Sequence, residues 1–250
     1  RLLWAKALGQ MALCGLLILA IGAMAVQDVQ DYLVATRGIE SGLEAQTPVL
    51  QHPRWGTMVA LEQYLSDAAL RSALQQARAL DMGTVRQRLA WSEIEPQRGM
   101  YHWERWDRIL PMVQAEGLAL IAVLDTSPAW ARPAWETENP WAPPTRLEDF
   151  ARFAGALAER YGAYIQAYQV WDQPNIYPHW GQGPIAPGEY VEMLRLASAA
   201  IRQHDPTALI VAGGLAPNVE SGGRNMSDVL FLREIYRRGA GAHFDVLGVK

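Results

Sequence analysis

The sequence predicts an α/β fold: a parallel (β/α)8 barrel of the TIM type, with its first six strands present, preceded by a single transmembrane helix. Three observations support this prediction. From Trp55 onward, short apolar runs alternate with amphipathic stretches, a pattern typical of a parallel sheet covered by helices. The loops after the strands are long and rich in tryptophan, as on the upper face of a barrel. Near the N-terminus lies an apolar run of membrane-spanning length.

The apolar run covers residues 7–26, and its only strongly polar member is Gln10. As a helix it is long enough to cross about 30 Å of hydrocarbon. Arg1 and Lys6 precede the run and Asp28 follows it. Because positive residues favour the cytoplasmic side, we predict a single-pass protein of the cell membrane, with a cytoplasmic N-terminus and an extracytoplasmic barrel.

The chain divides by composition into three predicted regions. Residues 1–37 form a signal-anchor helix with a juxtamembrane extension, residues 38–54 form a linker, and residues 55–250 form the barrel. A cleaved signal peptide is the alternative for the first region, because Ala-Met-Ala at 23–25 resembles a cleavage site.

Six short apolar or β-branched runs fit buried parallel strands. They lie at 56–61, 84–90, 118–124, 165–171, 208–213 and 244–249. A doubly wound nucleotide-binding fold is the main rival, but no GxGxxG motif follows the first strand and no GxxxxGK[ST] motif occurs. Six strands fall short of eight, so we expect the missing strands beyond Lys250.

Five amphipathic segments separate these strands and predict helices with one apolar face. Gly83, Gly117 and Gly162 are the predicted stops of the first three. The segments lie at 67–81, at 104–116, from a capping box at Thr145–Glu148 to Tyr161, at 187–203 opened by a proline, and at 228–238 capped by Ser227.

Composition narrows the classes of partner and cofactor. A net charge of −4 offers no basic patch, so nucleic acid is not an expected partner. The single cysteine, Cys14, excludes an internal disulfide framework and a CxxC zinc site. His102 and His179 lack metal-ligand spacing and are interpreted as ordinary loop residues. We therefore expect no metal and no cofactor.

Four segments carry a resemblance to a known group of enzymes. They are VRQRLAWSEIEP at 85–96, GMYHW at 99–103, TSPAW at 126–130 and YQVWDQPN at 168–175. Together they resemble the second strand, the third loop and the fourth-strand Trp-Asn-Glu-Pro-Asn motif of the retaining glycoside hydrolases with (β/α)8 barrels, near the cellulase and xylosidase families. The likeness spans about 55–250 and implies a barrel that acts on saccharides.

The chain departs from this family at the residues that matter most for catalysis. Gln173 stands where the family has its general acid/base glutamate, and Asp172 stands where it has an asparagine that contacts the sugar. The family's nucleophile follows the seventh strand, and Lys250 stands where a histidine is common. Because neighbouring residues of a strand point to opposite faces, we expect Asp172 to be a poor substitute for the lost glutamate.

Other residues are predicted to bind substrate. The resemblance assigns Arg86 to the active site, and Arg88 shares its strand face. The alternative is that one of the two arginines only pairs with a carboxylate such as Glu93. Trp171 and Asn175 belong to the fourth-strand motif. Aromatic loop residues could stack on sugars or pack within loops and against partners, and the predicted binding residues among them are Trp130 and Trp180.

Three functions remain open from the sequence. The first is a catalytically impaired domain that binds saccharides or acts as a scaffold at the outer membrane surface. The second is a non-catalytic accessory subunit of a membrane complex, which contacts other transmembrane subunits through residues 2–35. Gly9, Ala12 and Gly15 lie roughly along one face of that helix and would let another helix approach closely. The third is an active retaining glycosidase that hydrolyses O-glycosyl bonds.

Overall fold

The computed structural model describes residues 2–35 and 55–250. The chain divides into two compact units, Arg1–Leu50 and Gln51–Lys250. The predicted linker at 38–54 lies outside the described residues.

The first unit contains one long helix, α1 (Leu2–Ala35), of 34 residues. At 1.5 Å per residue it is about 51 Å long. Its segment Gln10–Gln30 has a mean hydropathy of 2.0. The helix is thus long and apolar enough to cross a membrane, as the sequence predicts, and it continues beyond the apolar run into the juxtamembrane region.

The second unit is built on a curved parallel sheet of six strands, and the strands follow one another in chain order. Each strand pairs in parallel with the next one. The strands are β1 (Gly56–Met58), β2 (Thr84–Arg88), β3 (Ala119–Leu124), β4 (Ala167–Asp172), β5 (Leu209–Leu215) and β8 (Val246–Val249). This order confirms the predicted barrel topology, with β1 and β8 as the edges of the described sheet.

A small antiparallel hairpin interrupts the alternation of strands and helices. Its strands are β6 (Ser221–Gly222) and β7 (Asn225–Met226). The hairpin carries no signal in the sequence, because two-residue strands are too short to show a period of alternation.

Helices cover the outer face of the sheet, and all five predicted helices of this unit are present. One further short helix, after β2, is not predicted from the sequence. The helices are α2 (Asp67–Ala79), α3 (Trp91–Ile94), α4 (Glu104–Ala115), α5 (Leu147–Tyr161), α6 (Pro187–His204) and α7 (Asp228–Arg237), with 3-10 turns at Leu61–Gln63 and Ala240–Ala242.

The helix ends differ from the predictions in detail. The capping box at Thr145–Glu148 is wrong: Arg146 is the N-cap of α5, and its side chain makes no capping hydrogen bond. Ser227 is the N-cap of α7 as predicted, but its hydroxyl does not cap a backbone N–H either. Gly117 follows α4 in a left-handed conformation, φ 69°, which fits its predicted role as a stop.

The core lies between the sheet and the helices and is rich in aromatic rings. Trp91 and Phe153 stack with their ring centroids 5.7 Å apart. Phe150 packs edge-on against both Trp91 and Trp171. Burial of such large side chains stabilises a fold by roughly 1.5–3 kcal/mol each. This aromatic layer fixes the outer side of β4, whose C-terminal end carries the candidate site.

Candidate functional site

A pocket of about 460 Å³ lies at the carboxyl ends of the strands, where barrel enzymes carry their active sites. Its size falls in the ordinary range for small-ligand sites, roughly 300–1,000 Å³. Residues of β1, β2 and β4 and of the turns that follow them form its wall. The lining residues are Met58, Val59, Ala60, Glu62, Arg86, Gln87, Arg88, Val123, Asp172, Gln173, His179 and Lys250.

Asp172 is the most heavily hydrogen-bonded carboxylate of the pocket. Its Oδ1 accepts from Arg86 Nη2 at 2.9 Å and from Gln169 Nε2 at 3.0 Å. Its Oδ2 accepts from Lys250 Nζ at 2.8 Å, and Arg88 Nη2 lies 4.0 Å away. Only 3% of the residue is exposed. Such charge-assisted contacts fix the carboxylate in place.

Arg86 projects from β2 across the sheet to β4. Besides Asp172, its Nε donates to Gln169 Oε1 at 2.9 Å. Gln169 also donates to the backbone oxygen of Trp171 at 2.8 Å. The pocket location that the sequence analysis assigns to Arg86 agrees with this placement. Gln169 was not predicted, because an amide inside an apolar strand carries no sequence signal of its own.

Arg88 pairs with Asp125, the residue that directly follows β3. Arg88 Nε lies 2.8 Å from Asp125 Oδ2, and the carboxyl is fully buried. Burial raises the pKa of Asp125 to about 7, the charge of Arg88 opposes this rise, and the negative charge of Asp172 adds to it. One of the two arginines thus pairs with a carboxylate, but that carboxylate is not Glu93, which binds Arg105 on the surface at 2.7 Å.

Gln173 lines the pocket beside Asp172. Its backbone is left-handed, φ 56°, and its N–H donates to Gly214 O at 3.2 Å. Trp171 is also left-handed, φ 65°. These two conformations break the alternation of the strand at its end, so the expectation that Asp172 and Gln173 point to opposite faces is wrong. Chemically, the Gln173 amide can donate and accept hydrogen bonds but cannot cycle a proton near neutral pH.

Two residues of the fourth-strand motif are structural rather than accessible to a ligand. Trp171 is fully buried, and its Nε1 donates to His179 O at 2.6 Å. Asn175 is also fully buried; its Nδ2 donates to Ala216 O at 2.7 Å and its Oδ1 accepts from Ala216 N at 2.9 Å. Asn175 therefore ties the loop after β4 to the loop after β5, and the structure does not bring either predicted binding residue to the pocket.

The two loop tryptophans lie elsewhere as well. Trp130 packs edge-on against Trp91, donates to Glu95 O at 3.0 Å and has the Arg98 guanidinium 5.0 Å from its ring centroid. Trp180 is 3% exposed and packs edge-on against Trp171. Of the predicted site residues, the structure thus brings Arg86, Asp172 and Gln173 together and leaves Trp130, Trp171, Asn175 and Trp180 outside this pocket.

His179 is a pocket residue that sequence reasoning missed. It lines the wall beside Asp172 and stacks against Trp141, with the ring centroids 5.3 Å apart. Burial lowers the pKa of His179, and the charge of Asp172 opposes that shift. No spacing signal could have found it, because the loop after β4 folds back over the strand end from which it emerges.

A second cavity of about 460 Å³ lies between the loops after β3 and β4. Four prolines and the rings of Trp135 and Trp180 line it, together with the buried residue Glu136. Trp135 is 75% exposed. This second cavity is separate from the polar pocket at the strand ends, and the two share no lining residue.

Known protein families and structures resemble this chain in fold. A family model of glycoside hydrolase family 42, described as β-galactosidase, matches residues 62–140. A GH39 β-xylosidase from Caulobacter crescentus has 15% sequence identity and a TM-score of 0.58, with 78% of this chain and 45% of that one covered. No curated protein sequence matches the chain.

Two further solved structures show the same likeness. A family 39 glycoside hydrolase from the gut symbiont Bacteroides cellulosilyticus WH2 has 20% identity and a TM-score of 0.51, covering 63% of this chain and 31% of that one. An exo-β-1,4-mannosidase from Opitutaceae bacterium strain TAV5 has 21% identity and a TM-score of 0.53, with 64% and 31% covered. The chain spans less than half of each of these three structures.

These matches confirm the predicted likeness to the glycoside hydrolases with (β/α)8 barrels. The six-stranded parallel sheet with its covering helices is a glycoside-hydrolase-like domain. Gln173 occupies the position that the sequence resemblance assigns to the general acid/base.

Proposed function

We propose that this protein is a membrane-anchored, catalytically impaired glycoside-hydrolase-like domain that binds saccharides at the outer face of the cell membrane. One observation carries the proposal: at the end of β4, Gln173 stands where the glycoside hydrolases that it resembles have their proton donor, beside a carboxylate that two cations already bind.

The chemistry of retaining hydrolysis explains why a glutamine at this position impairs catalysis. The reaction needs two carboxyl groups about 5 Å apart, one that donates and recovers a proton and one that attacks the sugar. General acid/base assistance contributes on the order of 10²–10⁴-fold in rate. An amide at the first position removes that contribution and keeps the ability to hydrogen-bond a sugar hydroxyl.

Asp172 is a poor replacement for the missing acid. Both of its oxygens already accept hydrogen bonds, three in all, two of them from the cations Arg86 and Lys250. To act as an acid, the carboxyl would have to bind a proton in competition with those contacts. Its geometry instead suits a fixed anion that orients the arginine and the lysine toward a ligand.

The position at the membrane rests on α1. The segment Gln10–Gln30 is long and apolar enough to span the bilayer. Arg1 and Lys6 stand on its N-terminal side, which supports a cytoplasmic N-terminus and an extracytoplasmic barrel. This topology would give the pocket access to extracellular or periplasmic glycans.

A second candidate function is an accessory subunit of a membrane complex. The observation that favours it is the open surface of α1: a Cβ added at Gly15 or Gly22 would meet no atom within 4 Å. Small residues in membrane helices allow close approach of a neighbouring helix. In this role the barrel would serve as a scaffold, which needs the fold but not the proton donor.

The first test is hydrolysis of aryl β-xylosides, β-galactosides and β-mannosides by the purified, detergent-solubilised protein. We expect no turnover above that of a mock preparation. Gln173→Glu is expected to restore turnover if the native protein supplies a nucleophilic glutamate after its seventh strand, and Gln173→Ala is the matched control that should stay inactive. Hydrolysis by the wild type that disappears in a folded Asp172→Asn variant would show that Asp172 is the acid and that the domain is an active glycosidase.

A further inference from the structure

The pocket at the strand ends is unusually rich in cationic hydrogen-bond donors. Arg86, Arg88 and Lys250 line it, with 22%, 42% and 34% of their side chains exposed. The carboxylates in the lining are Asp172 and Glu62. Three cations therefore line the pocket with two carboxylates, and a third carboxylate, Asp125, pairs with Arg88 from behind the lining.

The central carboxylate of the pocket, Asp172, is largely occupied. Asp172 is held by Arg86, Gln169 and Lys250. Glu62 Oε2 accepts from Gln87 Nε2 at 2.8 Å. Asp125 lies fully buried behind Arg88 and is not part of the lining. A neutral sugar, whose hydroxyl groups need acceptors as well as donors, would find little free acceptor capacity on Asp172.

The donors, in contrast, keep unused capacity within the described part of the chain. Lys250 Nζ carries three N–H groups and uses one on Asp172. Arg86 Nη1 meets the Met58 Sδ at 3.6 Å, a weak contact. Arg88 binds Asp125 through Nε, and its Nη2 lies 4.0 Å from Asp172, beyond hydrogen-bond distance.

We infer that this pocket binds an anionic saccharide, one whose sugar carries a carboxylate or a sulfate, with the acidic group facing Arg88 and Lys250. The guanidinium of Arg88 offers parallel N–H groups that match a planar carboxylate or two sulfate oxygens, and Lys250 adds a point charge. The inference rests on the proposed saccharide-binding function and names the class of ligand that the same pocket takes.

The test compares ligands that differ only in charge. Trigalacturonic acid is paired with its fully methyl-esterified form, and a sulfated chondroitin tetrasaccharide, with its uronates methyl-esterified, is paired with its desulfated counterpart. Binding to the intact, detergent-solubilised protein is measured by calorimetry at low and high salt. We expect at least one acidic ligand to bind about tenfold more tightly than its neutral partner, the size of one hydrogen bond to a charged group, and to lose that preference as salt rises.

Two variants assign the preference to the pocket. Lys250→Gln removes one cation, and Arg88→Gln combined with Asp125→Asn removes the other without leaving a buried carboxylate unpaired. Both should bring the acidic and neutral affinities together. Arg237→Gln, which removes an exposed arginine paired with Glu234 on α7, is the matched control and should keep the preference.

Three results would overturn the inference. Neutral ligands that bind as tightly as their acidic partners would show that the pocket does not discriminate between charged and neutral saccharides. Saccharide binding itself would still stand. An acidic preference that persists in both folded pocket variants would place the site elsewhere. The absence of binding by all four ligands would count against saccharide binding itself, and so against the proposed function as well. If a variant does not fold, as judged by its melting transition, the comparison of ligand pairs on the wild type still decides the question.

Discussion

Left-handed backbone at the end of β4 determines how the site side chains are presented. Trp171 and Gln173 have φ values of 65° and 56°, and such conformations cost on the order of 1–3 kcal/mol each for residues other than glycine. The buried indole hydrogen bond to His179 O and the Gln173 hydrogen bond to Gly214 O hold them in place. The conformations bring Asp172 and Gln173 to the same pocket, which strand alternation alone would not do.

The buried Asp125 makes stability depend on pH. In the folded protein burial raises the pKa of Asp125 to about 7 from an ordinary value of 3.8. Between these values the folded state holds the proton that the unfolded chain has released, so this carboxyl lowers the free energy of unfolding as pH rises. The slope approaches about 1.4 kcal/mol per pH unit. We expect the wild type to lose more stability between about pH 5 and about pH 7 than Asp125→Asn, measured by urea unfolding.

An exposed aspartate provides the comparison. Asp67 pairs with Arg108 at 3.1 Å with 67% of its side chain exposed, and Asp67→Asn should keep the pH dependence of the wild type. Parallel stability profiles for the wild type and Asp125→Asn would mean that the buried carboxyl stays ionised throughout this range and that Arg88 compensates fully for its burial.

At the level of elements, the sequence predicts what depends on periodicity and misses what depends on tertiary contact. Helices such as α4 and α6 follow from their apolar faces, and the parallel strands from short apolar runs between them. The short helix α3 was missed because four residues carry no helical period. Its position is set by backbone hydrogen bonds from Trp91 N to Asp125 O and from Glu95 N to Trp91 O.

The residues of the candidate site also differ in how far the sequence predicts their roles. Arg86, Asp172 and Gln173 were predictable because a motif links each one to the end of a strand. Trp130 and Asn175 belong to the same motifs, yet the fold uses their polar atoms to hold loops together. A sequence motif marks both kinds of residue and does not separate a side chain that meets a ligand from one that supports the loop.

Helix α4 contains a proline in its interior, Pro111. Proline in a helix interior is about 3 kcal/mol less favourable than alanine, since it lacks the N–H that would reach the carbonyl of Asp107. Stiffening of the unfolded chain offsets up to about 1 kcal/mol of that cost. We expect Pro111→Ala to raise the free energy of unfolding by roughly 1–2 kcal/mol, measured by urea unfolding.

Pro187 tests the same argument at a favourable position, because it is the first residue of α6. There the missing N–H has no partner to lose and the fixed φ suits the helix. Pro187→Ala should leave stability unchanged or lower it by up to about 1 kcal/mol. Equal gains from both replacements would show that the helix interior does not penalise Pro111.

At the scale of the whole molecule, the two units of the chain differ in whether their large apolar side chains are buried or exposed. The barrel unit buries its apolar side chains, including Leu61, Trp91 and Phe231, in a core. On α1, large apolar side chains such as Ile18 and Leu19 are 70% and 72% exposed. Lipid can cover such a surface, but lipid gives one helix face no advantage over another. A preference for a particular face would come from a protein partner.

The final prediction therefore concerns the face of α1 that carries Gly9, Ala12 and Gly15. A leucine at Gly15 would fill space in which no atom lies within 4 Å of the added Cβ, so it should leave the isolated helix and its insertion unaffected while blocking close approach of a second helix. We expect wild-type protein extracted in mild detergent to migrate above the size of a monomer, and Gly15→Leu to shift it to the monomer position. Cys14→Leu enlarges a small residue on roughly the opposite face and should preserve the larger species, because Cys14 is turned by about 200° from Ala12, which lies in the middle of the glycine-bearing face. Wild-type protein that migrates as a monomer, or two variants that behave alike, would leave α1 as a membrane anchor and remove the support for an accessory subunit.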